Sequence, residues 1–218
     1  MASLAERVLL PGDPGRALAL AQVVLGDDRL MFNHHRGLWG YTGTAADGAP
    51  LTIQSTGMGG PSAAIVLEEL AGLGVRAAVR VGTCGALDGA LRPGDLVAAT
   101  TVLAADGTSR ALGASERLEL DAGLAARLGD RAARAGTVVS ADLFYDPDAA
   151  RMARWRAAGA LARDLETAAL AAVAARHGLR FGSVLAVVAA ADGTRLDDEA
   201  IVAAGEAVGK AGAAALCG

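Results

Sequence analysis

Cysteine is scarce in this chain: two in 218 residues, Cys84 and Cys217, with no Cys-x-x-Cys pair. Two thiols cannot make a disulfide framework. Three histidines, His34, His35 and His177, stand at no metal-ligand spacing, so no structural metal is expected. Positive charge is not in excess either. The formal net charge is −4 and the arginines are scattered, which argues against a nucleic-acid surface. No uninterrupted apolar run approaches the roughly 20 residues of a membrane span. The opening stretch places an acid before its apolar run and has no signal-peptide layout. A soluble cytoplasmic protein without nucleic-acid or membrane partners is the expectation. No Pro/Ser-rich linker, charge block or repeat divides the chain, so residues 1–218 read as one domain. Hydrophobic residues at 53% and charged ones at 20% suit a globular chain with a substantial core.

What is present is an alternation of short β-rich runs with longer Ala/Leu-rich stretches of helical period. Residues 7–13, "RVLLPGD", end a strand in a turn, and 14–25 begin a helix with Pro in its first turn. Strands are expected in 49–60, 76–87, 94–105, 137–147 and 181–193, each followed by a turn or glycines. Helices are expected in 61–74, 120–136, 162–178 and 197–216, the last capped by Asp197 or Asp198. Such alternation implies an α/β fold: a single-domain three-layer αβα sandwich with a mixed, twisted central sheet flanked by helices. Ligands of such sheets bind at the carboxyl ends of strands. The 29 glycines, about twice ordinary usage, gather there.

Three of these strand-end loops suit an anion. "PGDPGR" offers Gly12 for close backbone approach and Arg16 on the next helix's first turn. "RVGTCG" offers Arg80, Gly82, the Thr83 hydroxyl and Gly85. "STGMGGPS" frees backbone N–H groups before a helix N-terminus. Neither a P-loop nor a dinucleotide fingerprint occurs. The bland alternative for each loop taken singly is a tight turn with a surface arginine, since short glycine motifs are weak signals.

Together and in order, "LLPGDPGR", "HHRGLWG", "STGMGGPSAAIVLEEL", "RVGTCGA", "SADLFYDP" and "RDLETAAL" resemble the nucleoside phosphorylase family, in its bacterial, usually hexameric branch. The resemblance runs from about Arg7 to Ala189. It implies phosphorolysis of an N-glycosidic bond, with a nucleoside and inorganic phosphate as ligands and no cofactor. It implies a homo-oligomer, a hexamer built as a trimer of dimers. The phosphate pocket would comprise Gly12, Arg16, Arg80 and Thr83, with Arg36 lent by a neighbouring subunit. Glu166 would accept hydrogen bonds from the ribose hydroxyls, Leu165 would lie beneath the sugar, and Phe144 would stack on the base. Read as part of a helix, Asp164 falls on the outer face. The wording "SADLFY" favours the purine branch, and the uracil-reading Gln and Arg have no counterpart, since Asp148 and Ala150 fall there. A uridine or broad-specificity phosphorylase, a nucleosidase and a non-catalytic binding relative are the alternatives.

Two departures stand out. The family's N-terminal arm, whose histidine reaches a neighbour's ribose 5′ hydroxyl, has no counterpart before the first strand. The acid that serves purine N7 falls, by gapless count from Glu166, on Ala189. Asp192 comes three residues later and is either a substitute acid or a turn residue before Gly193. A positioned general acid is worth about 10²–10⁴ in rate, and phosphate positioning can supply more, so a slow phosphorylase is still expected.

Overall fold

The computed structural model describes residues 4–218; residues 1–3, within the stretch where the arm would lie, fall outside the described residues. The chain runs β1 (Arg7–Leu10), α1 (Pro14–Val24), β2 (Leu30–Asn33), β3 (Gly40–Thr44), β4 (Pro50–Gln54) and α2 (Gly60–Gly72). It continues with β5 (Ala77–Ala86), β6 (Leu96–Ala104), α3 (Gly107–Ala111), β7 (Arg117–Glu119), α4 (Ala122–Gly129) and β8 (Arg134–Ser140). The last third holds α5 (Ala149–Ala157), β9 (Ala162–Asp164), α6 (Thr167–His177), β10 (Arg180–Ala189) and α7 (Asp198–Cys217).

The sheet is mixed, as expected. β1, β4, β5 and β10 are mutually parallel neighbours, so their carboxyl ends open on one edge. The sheet also closes on itself. β5 pairs with β10, β10 with β6, β6 with β8, β8 with β9, and β9 returns to the far end of β5. That closure turns half of the sheet into a small barrel beside an open wing of β1, β4, β3 and β2.

Period-two alternation divides the core between two helix layers. Val8 and Leu10 face the cluster of α2 and α6, while Leu9 faces that of α1 and α7. Phe181, Leu185 and Val187 join the first cluster, Val184 and Ala186 the second. By length and composition alone α7 could cross a membrane. Here half of it is buried, packed on β5, β10 and α1.

Several boundaries differ from the sequence reading. The helix expected over 120–136 stops at Gly129, because the chain turns through residues 130–133 and re-enters the sheet as β8. The strand expected over 137–147 ends at Ser140 and becomes a loop. The helix expected over 162–178 begins at Thr167, because residues 162–164 extend the sheet as β9. That last shift moves a site residue.

Candidate active site

A cavity of about 730 Å³ opens where β1, β5 and β10 end, inside the range of small-molecule sites. Asp13 accepts a hydrogen bond from the Arg16 backbone N–H at 2.7 Å and so caps α1, which brings the half-buried Arg16 side chain to the wall. Gly12 lets this loop pass Gly57: a Cβ there would meet the Gly57 carbonyl oxygen at 3.3 Å. Arg80 comes from inside β5 and is 3% exposed. Gly82 makes room for it, since a Cβ at that position would sit 2.7 Å from the guanidinium carbon. Thr83 lines the cavity one residue further.

Two carboxyl groups converge on Arg80. Its Nε donates to Asp164 Oδ2 at 2.8 Å and its Nη2 to Glu166 Oε2 at 2.5 Å. Its Nη1 is buried with no partner among the described residues. A buried guanidinium nitrogen without a partner costs free energy unless a ligand answers it. Glu166 Oε1 accepts from the Gly59 backbone N–H at 2.7 Å. The glycine loop before α2 therefore does bind an anion, the chain's own Glu166 carboxylate. Burial holds the Glu166 carboxyl above its ordinary pKa even against the Arg80 charge, with Asp164 adding to the rise. For Arg80, burial pulls downward, but the Glu166 and Asp164 charges prevail and leave it raised. Burial lowers the pKa of Arg16, with Arg80 repelling it further, although an arginine stays charged at neutral pH.

Asp164 is not on an outer face. It is 5% exposed and accepts from Arg80 Nε, from Ser140 Oγ at 2.5 Å and from Thr167 Oγ1 at 2.6 Å. In a helix, residues i and i+2 point apart; in extended chain they share a side. Because β9 runs to Asp164 and α6 starts only at Thr167, both acids face Arg80. A helix period assumed to start at residue 162 rather than at Thr167 hid this.

Phe144, 51% exposed, and Tyr145 line the cavity from the loop after β8, their rings edge-to-face at 4.9 Å. Arg163 secures that loop by donating to the Leu143 and Phe144 carbonyls at 3.3 and 3.2 Å. Leu165, Val188 and Ala189 complete the apolar wall. Asp192 is exposed and lies off the cavity wall. Its carboxylate accepts from the Thr194 backbone N–H at 2.9 Å, which holds its pKa below the ordinary carboxylate value. A proton donor at neutral pH needs the opposite shift. Turn duty, not acid catalysis, fits Asp192. Arg36 is exposed in the short 3-10 turn His35–Gly37 and does not line its own chain's cavity. Sequence reading missed Arg163 and Arg195 on this wall; a strand end followed by a glycine turn was the available signal for Arg195.

The fold and cavity together define an α/β enzyme with a cationic pocket, a buried carboxylate acceptor and an aromatic flap at converging strand ends. A family model described as the phosphorylase superfamily matches residues 6–217, and the chain belongs to that superfamily. It is 37% identical over 196 residues to "Purine nucleoside phosphorylase DeoD-type" of Geobacillus kaustophilus, covering 84% of this chain and 80% of that one. It is 38% identical over 189 residues to "Guanosine phosphorylase" of Halorubrum lacusprofundi, covering 84% and 77%. A solved uridine phosphorylase from Vibrio fischeri, complexed with 6-hydroxy-1-naphthoic acid, superposes with a TM-score of 0.89. It is 25% identical, and the match covers 98% of this chain and 92% of that one.

Proposed function

We propose that the chain cleaves purine ribo- and deoxyribonucleosides with inorganic phosphate, giving the free base and (deoxy)ribose 1-phosphate, without an organic cofactor. The observation that carries this reading is the unpartnered Arg80 Nη1, buried beside Arg16, Thr83 and Glu166. Phosphate brings about 1.5–2 negative charges and several strong acceptors, which two guanidinium groups and a hydroxyl answer. Hydrolysis by water needs no such cationic pocket. One phosphate oxygen attacks C1′ as the C1′–N9 bond breaks, and the bonding pair leaves with N9. Glu166 accepts from the ribose 2′ hydroxyl, a bond that strengthens as C1′ becomes oxocarbenium-like. Phe144 and Leu165 supply the faces for base and sugar.

The test incubates the purified protein with inosine, guanosine, adenosine and uridine, with and without inorganic phosphate, and follows the free base and sugar phosphate. Purine release that requires phosphate is expected. Equal release without phosphate would convert the reading to hydrolysis, and turnover of uridine alone would remove purines.

A further inference from the structure

We propose that Arg195 reads the O6/N7 edge of a 6-oxopurine and carries the charge of the departing base, opposite Ala189, whose methyl group supplies no acid. The assignment rests on the phosphorolytic reading for its catalytic half and on geometry alone for its binding half.

The geometry starts at the turn after β10. Ala190 N–H donates to the Thr194 carbonyl at 2.8 Å, Gly193 takes a φ of +92°, and Asp192 ties the turn through Thr194. The returning chain pairs Arg195 with Ala189 in an antiparallel bridge, and Leu196 N–H donates to the Val188 carbonyl at 3.1 Å. Directly opposed residues of an antiparallel pair project to the same side. Both line the cavity, together with Phe144. The methyl group of Ala189 leaves space and offers no polar atom. Arg195 fills that polar role from the facing position.

Nothing among the described residues competes for its guanidinium. Arg195 has no hydrogen bond or ion pair among the described residues, whereas the carboxylates of the wall are all engaged. Asp13 caps α1, Asp146 pairs with Arg151 at 2.8 Å, and Asp164 and Glu166 hold Arg80. Arg163, the other cation near the flap, is spent on backbone carbonyls.

A guanidinium is all donor and never acceptor. Guanine and hypoxanthine present two adjacent acceptors, O6 and N7, which an arginine fork fits bidentately. Adenine presents N7 beside an N6 donor, a mismatch. When C1′–N9 breaks, the bonding pair enters the purine ring and spreads onto N7 and O6. A fixed cation there stabilises that anion without transferring a proton. The base then takes its proton from water, because arginine does not deprotonate.

The deciding measurement is calorimetric titration of wild type, Arg195→Ala and Arg195→Gln with hypoxanthine and with adenine, in phosphate buffer, alongside kcat/KM for inosine and adenosine. Wild type should prefer hypoxanthine. Arg195→Ala should weaken hypoxanthine by about 5- to 150-fold and adenine by no more than about threefold. Gln pairs with the N6/N7 edge, so Arg195→Gln should turn the preference toward adenine, an outcome that a merely structural role for Arg195 does not produce. Arg195 is exposed, so unchanged melting temperatures are expected for both variants. An unaltered hypoxanthine-to-adenine ratio in both variants overturns the assignment, whether or not nucleosides are cleaved. The expected binding pattern without any phosphate-dependent cleavage would leave Arg195 as the base reader and discard the phosphorolytic reading.

Discussion

Arg80 shows how one buried residue organises the chemistry. Burying an ion costs several kcal/mol unless partners and hydrogen bonds compensate, and here two carboxylates hold two of its nitrogens and leave the third for a ligand. The two acids have different duties. Glu166 faces the cavity and can exchange its Arg80 contact for a sugar hydroxyl. Asp164 is walled in by Ser140 and Thr167 and can only orient. Asp164→Asn should therefore raise the phosphate KM by about 10-fold or more while the nucleoside KM changes little, since charge-assisted bonds are worth ~1.5–3 kcal/mol. Phosphate-dependent kinetics check this, and equal changes in both KM values would reduce Asp164 to a packing residue. Arg80, Thr83 and Glu166 were legible in the sequence because their motifs stand in order. Asp164 was not, because its side depends on where β9 stops and α6 begins, and a three-residue strand leaves no periodic trace.

Among elements, the long β10 and α7 were legible as an apolar run and an Asp-capped helical period, whereas the closure of the sheet was not. It depends on β9 bridging β8 and β5, a pairing between residues far apart in sequence. Glycine carries a further layer of meaning that only packing reveals. Gly209 of α7 faces Leu20 of α1, and a Cβ there would overlap the leucine side chain. Gly72, at the end of α2, has nothing within 4 Å of the position a Cβ would take and an ordinary φ. Glycine in a helix costs roughly 0.5–1 kcal/mol relative to alanine. Gly72→Ala should thus raise the melting temperature by about 1–4 °C, at ~2–4 °C per kcal/mol for a chain of this size. Gly209→Ala should lower it, because overpacking a core costs about 1–3 kcal/mol. Thermal melts of the two variants decide; a rise for both would mean that α7 can move off α1.

At the scale of the whole molecule, the cavity as one chain builds it contains Arg16 and Arg80 but not Arg36. Arg36 is the described non-glycine residue with a positive φ, +55°, a conformation that costs about 1–2 kcal/mol for an L-residue. An exposed side chain on strained backbone, with no partner among the described residues, suits a group presented to a neighbour. We infer an oligomer in which Arg36 completes the phosphate pocket of the adjacent subunit. Arg36→Gly should relieve the backbone strain, so the melting temperature holds or rises while the phosphate KM increases. Complementation separates the two possible addresses of the guanidinium. Subunits carrying Arg36→Ala retain Glu166, and subunits carrying Glu166→Gln retain Arg36. Each pure variant should be impaired. Co-expressed, they form some interfaces in which an intact Glu166 meets an intact Arg36 from across the boundary, and activity should exceed that of either variant alone. If Arg36 acted within its own chain, no mixed site would be complete and co-expression would recover nothing.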